Sequence, residues 1–310
     1  MTQQCTDAVF LVRPAAFGFN TETAATNRLQ RAGTLPDAQA RQQALAEFDG
    51  MVTALRSEGV QVCVVEDTPA PPKPDAVFPN NWVSWHADGT VVLYPMQAAN
   101  RRAERRDGII DAVAQATGFQ VDRVLDLTAH ERDGRYLEGT GSLVLDRIAR
   151  VAYACRSPRT DERVLAEWCE AMGYEAEVFD AFDRDGVPLY HTNVLMGIGR
   201  RFAAIGADCI AGADRERVLA RLAASGRAVI RLDRSEVESF AGNLLELASW
   251  DEALGDSSVL ALSATARAAL APERYAQLAA CVDVVLPVPV PTIERLGGGS
   301  VRCMLAEVFR

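Results

Sequence analysis

The sequence predicts an α/β protein of five similar units arranged around one axis, and three observations support this fold class. First, the order strand, turn, strand, helix, strand recurs along the chain. Second, a small or polar residue opens each unit at steps of 60, 52, 50 and 59 residues, namely Asn81, Gly141, Asn193, Asn243 and Arg302. Third, no unit of this size can bury its own strands, so repeated units must share a core.

Short apolar runs that end at turn residues predict the strands, and apolar residues at helical spacing that stop at a glycine predict the helices. Asp88-Gly89 is a typical hairpin turn, and Pro36-Asp37 is a typical helix start. Strands are expected at residues 9–12, 60–65, 83–85, 91–94, 121–125, 142–145, 149–154, 194–197, 202–205, 229–232, 244–247, 259–262 and 282–288, with one more ending at 179 and a last one at 297–306. Helices are expected from about 36 to 59 and at 102–117, 161–172, 214–225 and 265–280.

Composition excludes several classes of protein. A net charge of −10 and a pI of about 5.0 argue against nucleic acid as the main partner. The apolar run at residues 8–12 is too short for a signal peptide or a membrane span, and the seven cysteines match no zinc spacing. We expect a cytoplasmic protein with reduced thiols, without a metal, a cofactor or a membrane partner.

Length alone suggests about two domains. The repeat instead predicts a single domain over residues 1–310, because all five units contribute to the same core. A homodimer is the default expectation for the oligomeric state.

The shared axis brings the five opening segments together at one end of the molecule. Cys303 follows Gly297-Gly298-Gly299 and precedes an apolar run, which predicts a thiol at the mouth of a packed scaffold. Taken alone, Cys303 would be interpreted as a buried, inert thiol, as most cysteines are. Its position among the opening segments favours a nucleophile instead.

Only three histidines are present to act with such a thiol. His191 opens a unit in the way that Cys303 does, and it is the expected partner. His86 lies near a hairpin turn and His130 lies in a charged loop, so both are expected to be solvated. Glu138 also opens a unit, which favours a role in the site over that of a solvated loop acid.

The segment from Gly297 to Met304, with the sequence GGGSVRCM, resembles the nucleophile strand of the guanidino-modifying enzymes, the pentein superfamily. This group includes arginine deiminase, dimethylarginine dimethylaminohydrolase and the amidinotransferases, and the resemblance implies a five-bladed αβ propeller. Asp75-Ala76-Val77-Phe78 resembles the loop that holds the guanidinium of the substrate. Leu137-Glu138-Gly139 resembles the deiminase motif whose Glu binds the reacting group, and His191 matches the catalytic histidine.

The resemblance also implies roles for two arginines. Arg101 and Arg159 fall where dimethylarginine hydrolases hold the α-carboxylate of the substrate, although each is also consistent with a surface charge at a helix end. The combination Arg13-Pro14, Asn20, Thr23, Asn27, Phe78-Pro79-Asn80-Asn81-Trp82 and Tyr190-His191-Thr192-Asn193 resembles the bacterial amidinotransferase-like branch that includes citrulline-utilisation hydrolases.

The departures from the family pattern favour a neutral substrate. Asn80 and Asn81 stand where deiminases and dimethylarginine hydrolases have acidic residues, and Asn193 stands where deiminases have the Asp of a His-x-Asp motif. A carboxylate suits a guanidinium, whereas an amide offers both a donor and an acceptor and suits a ureido group. The retained acids, Asp75 and Glu138, could still hold a cation.

The predicted function is hydrolysis of the small amino acid citrulline to ornithine, CO2 and ammonia through a covalent intermediate on Cys303. The catalytic residues are Cys303, His191 and Glu138, and the substrate-binding residues are Asp75, Phe78, Asn80, Asn81, Arg101, Arg159 and Asn193. The alternatives are arginine deiminase, dimethylarginine hydrolase or amidinotransferase activity, or a non-catalytic binding role on the same fold.

Overall fold

The computed structural model describes residues 3–33, 35–251 and 255–310. Its strands form five three-stranded sheets. In each sheet the middle strand pairs antiparallel with a short strand on one side and parallel with another strand on the other side. The repeat that the sequence predicts is therefore present as five copies of one pairing pattern.

The strands follow one another along the chain in the order of the units. They are β1 (Ala8–Arg13), β2 (Gln61–Glu66), β3 (Val83–Trp85), β4 (Thr90–Leu93), β5 (Arg123–Asp126), β6 (Val144–Asp146), β7 (Val151–Cys155), β8 (Glu175–Phe179), β9 (Met196–Ile198), β10 (Phe202–Ile205), β11 (Ala228–Arg231), β12 (Leu245–Asp251), β13 (Gly255–Ser263), β14 (Val284–Val288) and β15 (Ala306–Glu307). The sheets have the orders β15-β1-β2, β3-β4-β5, β6-β7-β8, β9-β10-β11 and β12-β13-β14.

The helices connect the second and third strands of a unit or form the short turns that open a unit. They are α1 (Thr21–Ala24), α2 (Asp37–Ser57), α3 (Ile109–Thr117), α4 (Gly139–Ser142), α5 (Glu162–Met172), α6 (Thr192–Leu195), α7 (Gly212–Ala224), α8 (Arg234–Val237), α9 (Ala264–Ala269), α10 (Pro272–Ala279), α11 (Pro291–Gly297) and α12 (Val301–Met304). Short 3-10 helices span Pro79–Asn81, Ala99–Glu104, Thr128–Asp133 and Ala207–Cys209.

The predicted fold class, an α/β protein of ββαβ repeats, is confirmed. The ring closes because β15, from the C-terminal end, pairs antiparallel with β1 and supplies the first strand of the first unit. Neighbouring units touch in order: Pro79–Asn81 packs on α4, α4 on α6, β9 on β12, and α12 on both β13 and Pro79–Asn81. The assignment of residues 1–310 to a single domain stays a prediction.

Local chemistry explains how each unit turns back on itself. The α5 helix begins after Asp161, whose side chain accepts hydrogen bonds from the backbone N–H groups of Arg163 and Val164. It ends at Gly173, which has a φ of 68°. Trp168 and Met172 face the core from this helix, and full burial of such side chains contributes about 1.5–3 kcal/mol each.

Four of the five opening segments are helical turns, the one at Asn243 being irregular, and this corrects the prediction of a strand at 297–306. Cys303 lies in the one-turn helix α12, and only Ala306–Glu307 that follow it are extended. Gly297 ends the α11 helix, an element that the sequence analysis missed. Each helical turn holds its residues at one end of the axis, and the strand that follows it runs into the core.

Two predicted helices are each divided in two. The helix expected at 102–117 is a 3-10 helix, Ala99–Glu104, followed by α3, and Gly108 with a φ of 77° separates them. The helix expected at 265–280 is α9 followed by α10, because Pro272 cannot continue a helix and instead starts one.

Candidate active site

Cys303 lies where three units meet, and two amide side chains surround its sulfur. Asn243 Nδ2 donates a hydrogen bond to Cys303 Sγ at 3.2 Å, and Asn193 places Nδ2 at 3.7 Å and Oδ1 at 3.8 Å from it. Asn243 is itself fixed, because its Nδ2 also contacts Asn193 O at 2.9 Å and its Oδ1 accepts from Arg302 N at 3.1 Å. The thiol is therefore held by neutral amides from two other units.

The protonation state of Cys303 follows from burial. Burial raises the pKa of Cys303 above its ordinary value, although hydrogen bonds from Asn243 and Asn193 and the charge of Arg302 act in the opposite direction. At neutral pH the resting thiol is protonated.

His191 and Glu138 form a second group in the buried site. The two side chains join at 2.8 Å between His191 Nε2 and Glu138 Oε2, and Arg159 Nη1 lies 3.4 Å from the same oxygen. Glu138 Oε1 accepts a hydrogen bond from Gln97 N at 3.0 Å. All three contacts stabilise an ionised carboxylate in a buried position.

The charges of this group are decided by its members. Burial opposes ionisation of Glu138, but Arg159 and His191 outweigh it, so the pKa of Glu138 lies well below its ordinary value. Burial lowers the pKa of His191 to about 4 in spite of the attraction of Glu138. Because an ionised carboxylate only accepts hydrogen bonds, neutral His191 carries its hydrogen on Nε2 and leaves Nδ1 as a free acceptor.

The free edge of the His191 ring faces the opening segment of the third unit. A Cβ atom on Gly141 would lie 2.8 Å from His191 Nδ1 and 2.4 Å from Asn81 Nδ2. Any side chain at Gly141 would therefore displace both groups, and the glycine allows His191 and Asn81 to approach each other across the backbone.

Asp75 is another buried residue of the site, and it lies on the loop before the 3-10 helix Pro79–Asn81. Its Oδ2 accepts from Asn20 Nδ2 at 2.8 Å and from Thr23 Oγ1 at 3.3 Å, and Arg101 Nε lies 3.9 Å away. Its Oδ1 is buried and has no hydrogen-bond partner among the described residues. Burial raises the pKa of Asp75, with Arg101 and Asn20 acting against it.

Arg101 is bound by protein groups. Its Nε and Nη2 donate to both oxygens of Glu104, at 2.8 and 2.9 Å, and its Nη1 donates to Asn81 Oδ1 at 2.8 Å. A further contact of 3.1 Å reaches Phe78 O. Arg101 therefore fixes the loop that carries Asp75 and Asn81, and burial raises the pKa of its partner Glu104 to about 7 even though Arg101 opposes this.

Of the two asparagines on this loop, only one has a hydrogen-bond partner for its side-chain N–H groups. Asn81 Nδ2 donates to Asn80 Oδ1 at 2.9 Å, whereas Asn80 Nδ2 is buried and has no hydrogen-bond partner among the described residues. Phe78 packs in the same apolar cluster as Phe17 and Cys303. The loop thus presents one apolar face and one unpaired amide donor.

Residues 20–30, here named the covering segment, extend over the site from the first unit. Thr26 Oγ1 accepts from Arg159 Nη2 at 2.7 Å, and Asn27 Nδ2 donates to the carbonyls of Gly297 and Gly298, each at 3.2 Å. With Asn20 on Asp75, the segment is joined to the second unit, the third unit and the C-terminal part of its own unit. As a result, none of the ten predicted site residues is more than 4% exposed.

Comparison with known proteins gives the family. The family model described as eukaryotic N,N dimethylarginine dimethylhydrolase matches residues 13–310. The chain belongs to this family. Its members are hydrolases that act on C–N bonds, and the predicted membership of the pentein superfamily is confirmed.

Solved structures share the fold. The N-terminal domain of ArgZ, an arginine dihydrolase from the ornithine–ammonia cycle in cyanobacteria, is 15% identical in its product-bound form, with a TM-score of 0.74 and 97% of each chain covered. Unliganded AgrE is 16% identical with a TM-score of 0.73, covering 97% of this chain and 39% of AgrE. Dimethylarginine dimethylaminohydrolase from Pseudomonas aeruginosa, complexed with citrulline, is 15% identical with a TM-score of 0.64 and 99% of each chain covered. No curated protein matches the chain.

The predicted residues are all buried, and their hydrogen bonds form one group around Cys303 and another around Glu138, with some unexpected partners. The hydrogen-bond partners of the Cys303 sulfur are amides, and His191 pairs with Glu138 instead. His130 is partly exposed and pairs with Glu167, as expected for a surface residue. The expectation that His86 is solvated is wrong: it is 4% exposed and lies 2.8 Å from Ser84 Oγ, because its hairpin packs against the neighbouring unit.

Sequence reasoning missed Glu104 and Thr26 as partners of the two arginines, and it treated Asn243 only as the start of a unit. Glu104 had one available signal, since it follows Arg101 by three positions, a spacing that places both on one face of a helical turn. Among the described residues, no three His, Cys, Asp or Glu side chains are grouped to hold a metal ion. No helix in the described ranges has the length and apolar character to cross a membrane.

Proposed function

We propose that the protein hydrolyses the ureido group of citrulline through a covalent intermediate on Cys303. The observation that carries the proposal is the pair of unsatisfied polar atoms beside the buried site, the acceptor Asp75 Oδ1 and the donor Asn80 Nδ2. Unpaired buried groups of this kind cost about 1–3 kcal/mol each, which a ligand with complementary groups recovers. A ureido group has N–H donors and a carbonyl acceptor, and it matches both atoms.

The first half of the reaction forms a carbamoyl-cysteine. The Cys303 sulfur attacks the ureido carbon while its proton passes to His191 Nδ1, the ring nitrogen left free by the bond to Glu138. The bond from that carbon to the ornithine side-chain nitrogen then breaks, and the departing amine takes the proton back from His191. Glu138 holds the imidazole in the required tautomer and stabilises its charged form.

The second half releases the thiol. Water attacks the carbamoyl carbon with His191 as general base, and the carbon–sulfur bond breaks to give carbamate and the Cys303 thiol. Carbamate decomposes to CO2 and ammonia. Asn193 and Asn243, which lie beside the sulfur in the resting site, contribute N–H groups to the thiolate and to the oxygen that becomes negative.

The two arginines have different roles in this proposal. Arg101 is engaged by both oxygens of Glu104 and by Asn81, so it positions the substrate loop. Arg159 has a single 3.4 Å contact with Glu138 and otherwise donates to the covering segment. We therefore assign the α-carboxylate of the substrate to Arg159, with Thr26 and its segment moving aside when substrate enters.

A second candidate substrate is arginine, and the balance of buried charge favours it. Asp75, Glu104 and Glu138 are three buried carboxylates, and Arg101 and Arg159 are two buried guanidinium groups. With all five ionised, the site has one negative charge in excess, which the guanidinium of arginine would compensate. Protonation of Glu104 compensates it equally, because the pKa of Glu104 is about 7.

One assay separates the two candidates. Purified protein is incubated with citrulline, arginine and dimethylarginine in parallel, and ornithine, citrulline, ammonia and methylamines are quantified. Ornithine and ammonia from citrulline alone support the proposal. Ornithine from both citrulline and arginine indicates an arginine dihydrolase, and accumulation of citrulline from either guanidino substrate overturns the ureido assignment.

The covalent intermediate is tested independently by quenching in acid and mass analysis of the Cys303 peptide. A carbamoyl adduct on Cys303 during citrulline turnover supports the mechanism. The Cys155 peptide is the internal control, since Cys155 is a buried thiol in another unit. Turnover without any adduct and with full activity in Cys303→Ala contradicts it.

A further inference from the structure

A second polar cavity lies at the other end of the axis strands. His86 follows β3, Arg147 follows β6 and Phe309 lies just beyond β15, whereas the opening segments precede the same strands. Strands of three residues separate these two ends by about 10 Å. The three residues, together with Arg150 and Tyr174, line a cavity of about 380 Å³.

Arg147 is the unusual residue of this cavity. It is 5% exposed, and its guanidinium donates no hydrogen bond to any of the described residues. Its nearest carboxylate oxygen, Glu307 Oε2, is 3.5 Å away and accepts a closer hydrogen bond from Arg302 Nη2 at 2.9 Å. One carboxylate thus serves two buried guanidinium groups, and the charge of Arg147 is left largely uncompensated.

Arg150 adds a second positive charge at the mouth of the cavity. It is exposed and forms no ion pair with the described residues, and its side chain donates to the carbonyls of Met172 and Gly173. Its φ of 58° lies in the left-handed region, at the end of the turn that joins β6 to β7. The guanidinium groups of Arg147 and Arg150 also lie over the rings of Phe309 and Tyr174, which fix them in place.

The remaining polar groups do not neutralise the two arginines. Asp88 is the one acid that lines the cavity, and it is exposed with its Oδ1 accepting from Thr90 N at 3.1 Å. His86 is buried and bonded to Ser84, and burial, with the charges of Arg147 and Arg150, lowers its pKa well below the ordinary value. His86 therefore faces the cavity as a neutral imidazole.

We propose that this cavity is a second ligand site, which binds a small oxyanion such as a carboxylate or a phosphate. The ligand accepts hydrogen bonds from Arg147 at the floor and from Arg150 at the mouth, and it supplies the negative charge that Glu307 cannot supply to both arginines. The volume lies near the lower end of the range for small-molecule pockets. This site is separate from Cys303 and does not depend on the proposed citrulline chemistry.

The test is isothermal titration calorimetry with inorganic phosphate and, separately, succinate, on the full chain. We expect saturable binding of at least one anion to the unmodified protein. Phosphate binding alone identifies a phosphorylated ligand, succinate binding alone a carboxylate, and binding of both a general oxyanion site. Arg150→Ala should weaken binding about tenfold, and Arg147→Met about 100-fold, as expected for losing charge-assisted hydrogen bonds.

The control is Arg132→Ala, which removes an exposed arginine in the 3-10 helix Thr128–Asp133, away from the cavity. It should bind the anion like the unmodified protein. Thermal unfolding checks the fold of each variant, and Arg150→Ala decides the question if Arg147→Met is unstable. Absence of binding up to tens of millimolar, or equal binding by all three variants, overturns the proposal and places any bound anion elsewhere.

Discussion

Cys155 and Cys303 are both fully buried thiols in the same repeat architecture, yet their surroundings differ. Cys155 Sγ lies 3.5 Å from the carbonyl oxygen of Leu189 and 3.4 Å from the Thr192 hydroxyl. Cys303 Sγ lies beside the amides of Asn193 and Asn243. A carbonyl can only accept from a thiol and stabilises its protonated form, whereas an amide N–H stabilises a thiolate.

Both thiols are buried, so the groups around each sulfur distinguish them. Burial raises the pKa of Cys155 to about 11, and burial also raises the pKa of Cys303. At Cys303, two amides and the charge of Arg302 act against burial, whereas at Cys155 the Thr192 hydroxyl and a backbone N–H act against burial and Asp180 reinforces it. The two thiols therefore differ in the donors and charges around each sulfur.

The largest effect should come from removing each sulfur in turn. Cys303→Ala should lower citrulline turnover by a factor on the order of 10⁶, as for other enzymes that lose a nucleophile. Cys155→Ala should keep turnover and cost about 1.5 kcal/mol of stability through the small cavity that it leaves. Steady-state kinetics and urea unfolding measure the two effects. Comparable turnover in both variants would show that Cys303 matters no more for turnover than Cys155 does.

His191→Ala should lower turnover by about 10²–10⁴-fold, because it removes the proposed proton carrier beside the thiol. The matched control is His130→Ala, whose imidazole is partly exposed and pairs with the exposed side chain of Glu167. Turnover in this control should stay within about twofold of the unmodified protein. Equal losses in the two variants would show that His191 acts through the fold.

The alkylation rate of each thiol as a function of pH reports how its surroundings affect its ionisation. Because the pKa of Cys303 is raised, its thiolate fraction, and hence its rate, should climb about tenfold per pH unit from 7 to 9 without a plateau. Cys155 should react more slowly throughout, since its pKa is about 11. Peptide mass spectrometry after iodoacetamide treatment measures both rates, and a plateau for Cys303 near pH 7 contradicts the raised pKa.

The smallest expected effect concerns Asn243, whose amide is the nearest donor to the Cys303 sulfur. Asn243→Ala should slow the alkylation of Cys303 about tenfold at pH 8, the equivalent of one lost hydrogen bond to a charged group. The rate for Cys155 should not change, which makes it the internal reference. An unaltered rate at Cys303 would mean that Asn243 serves only to join the units.

The repeat could be predicted because it is written into local patterns. Apolar strands, glycine stops and polar openings recur at steps of 50 to 60 residues, and each is a property of neighbouring residues. The elements that were wrong are those where a break is short: α12 in place of a strand, and helices divided at Gly108 and Pro272. One turn of helix leaves no periodicity for a sequence to display.

The network around the predicted site could be predicted only in part. Resemblance gave the residues Asp75, Glu138 and His191. Glu104 was missed although its partner Arg101 lies only three positions away, and Asn243 received no role because its partners belong to other units. The burial of His86 was missed for the same reason, since its hairpin is covered by residues far away in the chain.

Local sequence patterns and motifs were enough to predict the five units, the residues that open them and the family to which the chain belongs. Only the tertiary structure decided which side chains pair, because His191 meets Glu138 across 53 residues and Asn193 meets Cys303 across 110. Each such pair forms where two units touch around the axis, and local patterns contain no record of that contact. The same packing makes Arg147 and Arg302 share the carboxylate of Glu307 at the far end of the strands.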